Sequence, residues 1–257
     1  MKWTDEPGLK TDALTQNALT QNALTQNALT QNALTQNALT QNALTQNALT
    51  QNALTQNALT QNALTQNALE DPNARELFEY IVSCALPKGQ SLTYTTIDGT
   101  AHTFDGELGL APEWSMPGGK CGKVCQQWVS GCVLSRLDYL GEHVTISIRG
   151  TNPAIVVPSW PEYVEYTHRE ATYYGNIFSQ PQQFLGCLPP GVTQDPRVCG
   201  PSVDDCVVKF TGSCENVCAG SYWAGGYMNC RGPMDHNEQG ATGTMSYLGS
   251  VTVFLDE

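Results

Sequence analysis

Apolar and polar positions alternate along the first quarter of the chain with a period of five. Leucine occupies Leu9, Leu14, Leu19, Leu24, Leu29, Leu34, Leu39, Leu44, Leu49, Leu54, Leu59, Leu64 and Leu69. Between Ala13 and Asn67 the word Ala-Leu-Thr-Gln-Asn recurs eleven times without a substitution, and the flanks GLKTD (8–12) and ALEDP (68–72) keep the register. A fixed period is interpreted before local propensity. In an α-helix five residues turn by about 500°, so successive leucines drift by about 140° and form no stripe. In a strand an odd period sends alternate leucines to opposite faces. The polar Gln, Asn and Thr make disorder the rival, yet leucine never misses its slot. A backbone that turns a corner every five residues satisfies the period. Four sides then make a coil of about 20 residues, and each coil rises by the ~4.8 Å strand spacing.

This pattern resembles the pentapeptide-repeat family, and the resemblance implies a right-handed quadrilateral β-helix over residues 8–72 with the thirteen leucines inward. The order Asn, Ala, Leu departs from that family, in which a small residue stands two before the leucine and a polar one directly before it. Alternation then places Asn17, Asn22, Asn27, Asn32, Asn37, Asn42, Asn47, Asn52, Asn57, Asn62 and Asn67 inward as an amide ladder, tolerable where the amides bond to one another. A three-sided coil is the alternative. Family members that mimic DNA carry acidic outer faces, whereas Ala13–Asn67 has no charge. A ladder of Thr15, Thr20 and their equivalents offers a lattice too narrow to favour ice binding. Only seven residues precede the first unit as a cap, so an open end predicts end-on stacking into a homopolymer, with a stalk as the competing role.

Beyond Glu70 the periods change. EDPNARELFEYIVSCALPKG (70–89) predicts a helix capped by Asp71 or Asn73, with Leu77, Phe78, Ile81 and Val82 on one apolar face. Two Thr-rich alternating arms around Asp98-Gly99 predict a hairpin with a tight type I′ turn. KCGKVCQQWVSGCVLSRLDYLG (120–141) reads as a helix stopped by Gly141, and HVTISIRG (143–150) as a strand. YVEYTHREATYYGNIF (163–178) is ambiguous, with a helix to Gly175 as the expectation, while CVVKFTG (206–212) and TMSYLGSVTVFLDE (244–257) read as strands.

Charge and cysteine add the compartment. Residues 1–72 carry Lys2 and Lys10 against Asp5, Glu6, Asp12, Glu70 and Asp71, a net of −3, which leaves −9 of the total −12 to the rest. That balance disfavours nucleic acid and anionic lipid as partners. Cys84, Cys121, Cys125, Cys132, Cys187, Cys199, Cys206, Cys214, Cys218 and Cys230 all follow the repeat, an even set that predicts disulfides and an extracellular or cell-surface location. Zinc at the CxxxC pairs Cys121/Cys125 or Cys214/Cys218 is the rival, weakened by the lack of a paired His motif. No stretch reaches the roughly 20 apolar residues of a membrane span. MKWTDEPGLK has no apolar run, so the chain is expected to be a mature form whose signal or anchoring segment has been removed.

Candidate chemistry is thin. KCGKVCQQW (120–128) is similar to thiol-protease nucleophile segments, with His143, His168 or His236 as base, but the spacing does not match and even cysteine pairing leaves no thiol. Asp105/Glu107 and Glu162, Glu165 and Glu170 beside His168 are acid–base candidates that more often form solvated faces. Asp235, His236, Asn237 and Glu238 offer oxygens for calcium without the spacing of a recognised loop. Trp128, Trp160, Trp223, Tyr222 and Tyr227 are candidates for a carbohydrate platform, against core packing. The motifs GELGLAPEW, CQQWVSGC, ISIRG and YYGNIF look similar to those of exported bacterial proteins with no assigned activity, in which Asn-Ala-Leu repeats precede such a domain.

The expectation is therefore a tail (1–7), a β-solenoid (8–72) and a disulfide-rich α+β domain (73–257). The expected role is an exported, non-enzymatic structural protein that self-assembles. The alternative is an adhesin that binds a glycan or surface protein from a solenoid stalk.

Overall fold

The structure is a computed structural model that describes residues 23–24, 53–61, 63–139, 144–201, 206–234 and 243–256. It corrects the solenoid. The described repeat residues comprise a two-residue strand, β1 (Ala23–Leu24), and two short helices, α1 (Gln56–Gln61) and α2 (Ala63–Ala68). β1 pairs antiparallel with a strand of the C-terminal domain. Ala, Leu and Gln are good helix formers, and the drift of leucines that rules out a long amphipathic helix does not accumulate in a helix of six residues. Leu54, Leu59 and Leu69 are buried, and all three join the core that continues into the C-terminal domain. Asn57 and Asn67 are exposed on the helices, so neither stands in a buried ladder. Leu9, Leu14, Leu19, Leu29, Leu34, Leu39, Leu44 and Leu49, with Asn17, Asn22, Asn27, Asn32, Asn37, Asn42, Asn47, Asn52 and Asn62, lie outside the described residues.

α3 (Pro72–Ala85) begins where Asp71 accepts the Asn73 N–H at 2.8 Å, with Pro72 as its first residue. Its buried face includes Leu77, Phe78, Ile81 and Val82. The hairpin β2 (Ser91–Thr95)/β3 (Ala101–Asp105) lays Phe104 edge-on against Phe78, with ring centroids 4.9 Å apart. Its connection is a five-residue loop, 96–100, rather than a type I′ turn, because of the pair Asp98-Gly99 only Gly99 takes positive φ. α4 (Lys123–Ser135) is shorter than the sequence suggests; Cys121 precedes it, and Gly141 lies outside the described residues.

The sheet follows. β4 (Ile146–Arg149) leads through a Pro-punctuated loop to α5 (Trp160–Glu165), and β5 (Tyr166–Asn176) replaces the helix expected to run to Gly175. The run ATYYGN is β-branched and aromatic and is buried throughout, which suits a central strand better than a helix. β6 (Gln183–Leu188), α6 (Pro196–Cys199), β7 (Lys209–Ser213), α7 (Cys214–Val217), β8 (Gly220–Ser221), β9 (Tyr227–Met228), β10 (Cys230–Pro233), β11 (Thr244–Tyr247) and β12 (Val251–Asp256) complete the order. The sheet runs β1-β4-β12-β5-β6-β7, antiparallel except for the parallel β6–β7 pair. It is an open mixed sheet, and α4 packs onto β5 and β12. Gly131 permits that approach, since a Cβ there would stand 2.8 Å from the Gly249 carbonyl oxygen.

Five disulfides staple these parts: Cys84–Cys132, Cys121–Cys125, Cys187–Cys214, Cys199–Cys206 and Cys218–Cys230. Two main hydrophobic clusters result, beside the small pair Tyr166/Phe254. The larger joins the repeat helices, α3, α4 and much of the main sheet; the smaller gathers Tyr174, Leu185, Tyr227 and Tyr247 around four cysteines.

Candidate functional site: an outward-facing aromatic helix

The segment Ser159-Trp-Pro-Glu162 carries the S-x-x-E spacing of a capping box. Ser159 Oγ accepts the Glu162 N–H and Glu162 reaches back to the Ser159 N–H, each at 3.4 Å, while Pro161 lies in the first turn. The same carboxyl group accepts from Ser147 Oγ on β4 at 2.7 Å, and Glu162 is wholly buried. This orientation inverts the usual helix. Because the polar side faces the sheet, Trp160, Tyr163 and Val164 face solvent, exposed by 76 %, 37 % and 55 %. The Trp160 and Tyr163 rings stack with centroids 6.2 Å apart and planes 23° from parallel, and Val157 adds another exposed apolar side chain just before the helix.

Arg149 is the support beneath. Its guanidinium is buried on β4, donating from Nη2 to the Tyr166 carbonyl at 2.6 Å, from Nη1 to the Ala224 carbonyl at 3.1 Å and from Nε to Ser147 Oγ at 3.4 Å. It lies 3.8 Å from the Phe254 ring centroid and 5.1 Å from that of Tyr163. Burial lowers the Arg149 pKa, and the nearby Glu162 opposes the shift. The carbonyl contacts fix two segments at once. Tyr166 ends α5, and Ala224 lies in a turn closed by the Gly225 N–H bond to the Tyr222 carbonyl, from which Trp223 projects with 67 % exposure. Two exposed tryptophans thus stand on segments moored to one buried cation. The S-x-x-E spacing at 159–162 is the one sequence signal that could have located this helix start; the inward carboxyl and Arg149 carry none, because both depend on a strand-to-helix contact.

The other candidates separate. Trp128 and Tyr227 are buried and belong to the core, and Tyr222 is half-buried. Glu162, Glu165 and Glu170 do not converge: Glu165 is exposed, and Glu170 is buried against Arg197 at 2.7 Å. Burial raises the Glu170 pKa while Arg197 opposes the rise. Glu107 pairs with Arg136 at 3.0 Å, and Asp105 is exposed on β3. Cys121 and Cys125 bind each other, so the protease-like segment holds no thiol nucleophile, and none of the ten cysteines is free. His168 is exposed; His143, Asp235, His236, Asn237 and Glu238 lie outside the described residues.

A concavity of about 450 Å³ lies between the repeat helices and the hairpin, lined by Gln56, Leu59, Gln66, Asn67, Thr93 and Ile97 among others. Its polar groups largely bond within the fold: the Gln56 amide donates to the Thr93 carbonyl at 2.8 Å and accepts its N–H at 2.7 Å, a side-chain copy of strand pairing.

Comparison with family models, curated proteins and solved structures yields no match. Among the described residues, no helix is long and apolar enough to cross a membrane.

Proposed function

We propose that the protein is an extracellular or cell-surface binding module, with the repeat as its arm and the α5 surface as its docking face. The observation that carries this reading is the inverted polarity of α5, which buries Glu162 and exposes Trp160 and Tyr163. Single exposed apolar residues are common, but a contiguous aromatic group on a rigid support is a feature of interaction sites. Flat, exposed indoles suit the apolar face of a sugar ring or the centre of a protein contact. Five disulfides support an oxidising location. The experiment is a glycan array probed with the full chain, alongside photo-cross-linking from position 164 to capture a surface protein. A specific hit abolished by Trp160→Ala supports the reading; hits unaffected by that change remove it.

A second reading, a self-assembling structural protein, has its own support. Ala23 and Leu24 pair antiparallel with Ser147 and Ile146 at the edge of the main sheet. Eleven identical units offer that edge the same backbone and side chains, whichever copy of the chain supplies them. Sedimentation velocity over a wide concentration range tests it. Growth of discrete oligomers or fibres supports strand donation; a monomer at every concentration excludes it.

A further inference from the structure

The CxxxC pair Cys214/Cys218 lacks neighbouring ligands in the sequence, but the fold supplies them. Cys214 opens α7 and Cys218 follows it, Cys187 lies on β6, and Cys230 opens β10. The four converge in the smaller core, among Tyr174, Leu185, Tyr227 and Tyr247. Although they belong to different disulfides, Cys187 Sγ and Cys218 Sγ lie 3.6 Å apart. The sulfurs of Cys187, Cys218 and Cys230 all fall within 4.8 Å of one another, the one group of potential metal ligands of this kind among the described residues. A zinc–sulfur bond of about 2.3 Å gives a tetrahedron whose edge is roughly 3.8 Å. The Cys187–Cys218 spacing is therefore already close to that of a thiolate-bound ion, while Cys214 lies outside the group of three and joins it as the fourth sulfur by a side-chain rotation once its bond to Cys187 is reduced. Cys121/Cys125, with the same sequence spacing, has no such third sulfur.

We propose that Cys187, Cys214, Cys218 and Cys230 in their reduced form bind a soft divalent cation of the Zn²⁺ type, so that metal and the Cys187–Cys214 and Cys218–Cys230 disulfides are alternative occupants of one site. Reduction of each disulfide by a thiol or phosphine reductant adds two electrons and two protons and yields two thiols. Binding of one Zn²⁺ by four thiols forms four zinc–sulfur bonds and releases four protons. A disulfide-type oxidant reverses the change: it removes four electrons, re-forms both bonds and expels the ion. Cys218, exposed by 8 % while the other three are at 0 %, is the sulfur through which a reductant enters. The closed, four-sulfur set has no vacant position for substrate, so the bound ion is structural and holds the small core together before the disulfides form.

Differential alkylation of the full chain tests the site without a variant. The protein is reduced anaerobically with a phosphine, given Zn²⁺ or a chelator, treated with iodoacetamide and mapped by peptide mass. The expected result is that Zn²⁺ slows alkylation of Cys187, Cys214, Cys218 and Cys230 at least tenfold, with Cys84, Cys121, Cys125, Cys132, Cys199 and Cys206 unchanged. Co²⁺ as a spectroscopic probe then shows one tetrahedral thiolate site per chain. Cys187→Ser weakens Zn²⁺ binding by about a hundredfold, whereas the double change Cys121→Ser/Cys125→Ser leaves it intact. Absence of protection, or protection spread over all ten cysteines, overturns the proposal.

Discussion

Two helices of this chain make opposite use of amphipathicity. α3 turns Leu77, Phe78, Ile81 and Val82 into the core and begins with an exposed proline. α5 turns a glutamate inward and its tryptophan, tyrosine and valine outward. In α3 the apolar side chains stabilise the fold, because their burial removes area from water. In α5 the corresponding side chains contribute little to folding, and the helix is held instead by a capping box, the Ser147 contact and Arg149 beneath it. A helix of six residues is thus held by polar contacts at its base, with its aromatic rings left on the surface. Hydrophobic residues are therefore buried for stability on one helix and left exposed on the other, where they form the proposed docking face.

The difference can be broken experimentally. The largest effect belongs to α3's covalent tie to α4: Cys84→Ser/Cys132→Ser opens a link of sequence separation 48 and is expected to cost about 4 kcal/mol, against about 2 kcal/mol for the separation-4 pair Cys121–Cys125. Urea denaturation of both double variants measures the gap. Next, Leu77→Ala empties a fully buried position and should lower unfolding free energy by about 3 kcal/mol. On α5 the sensitive position is the polar one: Glu162→Ala removes the carboxylate that accepts from the Ser159 N–H and from Ser147 Oγ, while the Ser159 cap stays, and should cost about 2 kcal/mol.

At high pH the end of α5 responds. Burial, then Glu165 and Asp256, push the Tyr166 phenol up to about 12. Because its folded pKa lies above the unfolded value of about 10, the contribution is fully present below pH ~10 and is lost as pH rises towards 12. A denaturation series at alkaline pH should show that fall, and Tyr166→Phe should make it shallower by one phenol's share, because burial also raises Tyr80, Tyr94, Tyr173, Tyr174 and Tyr222. The smallest stability effect belongs to Trp160→Ala, below about 0.5 kcal/mol because the ring is exposed; a loss as large as that of Leu77→Ala would erase the contrast between the helices.

The legibility of the chain follows the same division. α3 was readable because its period of 3.6, its Asp71 cap and its proline all agree. The repeat was not, because a period of five fixes no face by itself, and the described units are placed by contacts far along the sequence. The Leu54 N–H donates to the Trp114 carbonyl at 2.8 Å, and Gln56 binds Thr93. Residues 163–178 read ambiguously, with a helix as the expectation, because Tyr, Thr and Ala fit both periods until a sheet neighbour decides for β5. In the site, the Ser159/Glu162 spacing is a helix-start signal that the expected helix from Tyr163 passed over, and which side of the helix meets water depends on Ser147 and Arg149, ten or more residues upstream.

The direct test of the account is a paired measurement on the double variant Trp160→Ala/Trp223→Ala: binding of the ligand identified on the array or by cross-linking, and the urea midpoint of the same preparation. The account predicts a loss of binding of at least about tenfold, which corresponds to 1.4 kcal/mol, with a midpoint indistinguishable from that of the parent. Unchanged binding, or a midpoint lowered as far as in Leu77→Ala, would contradict it.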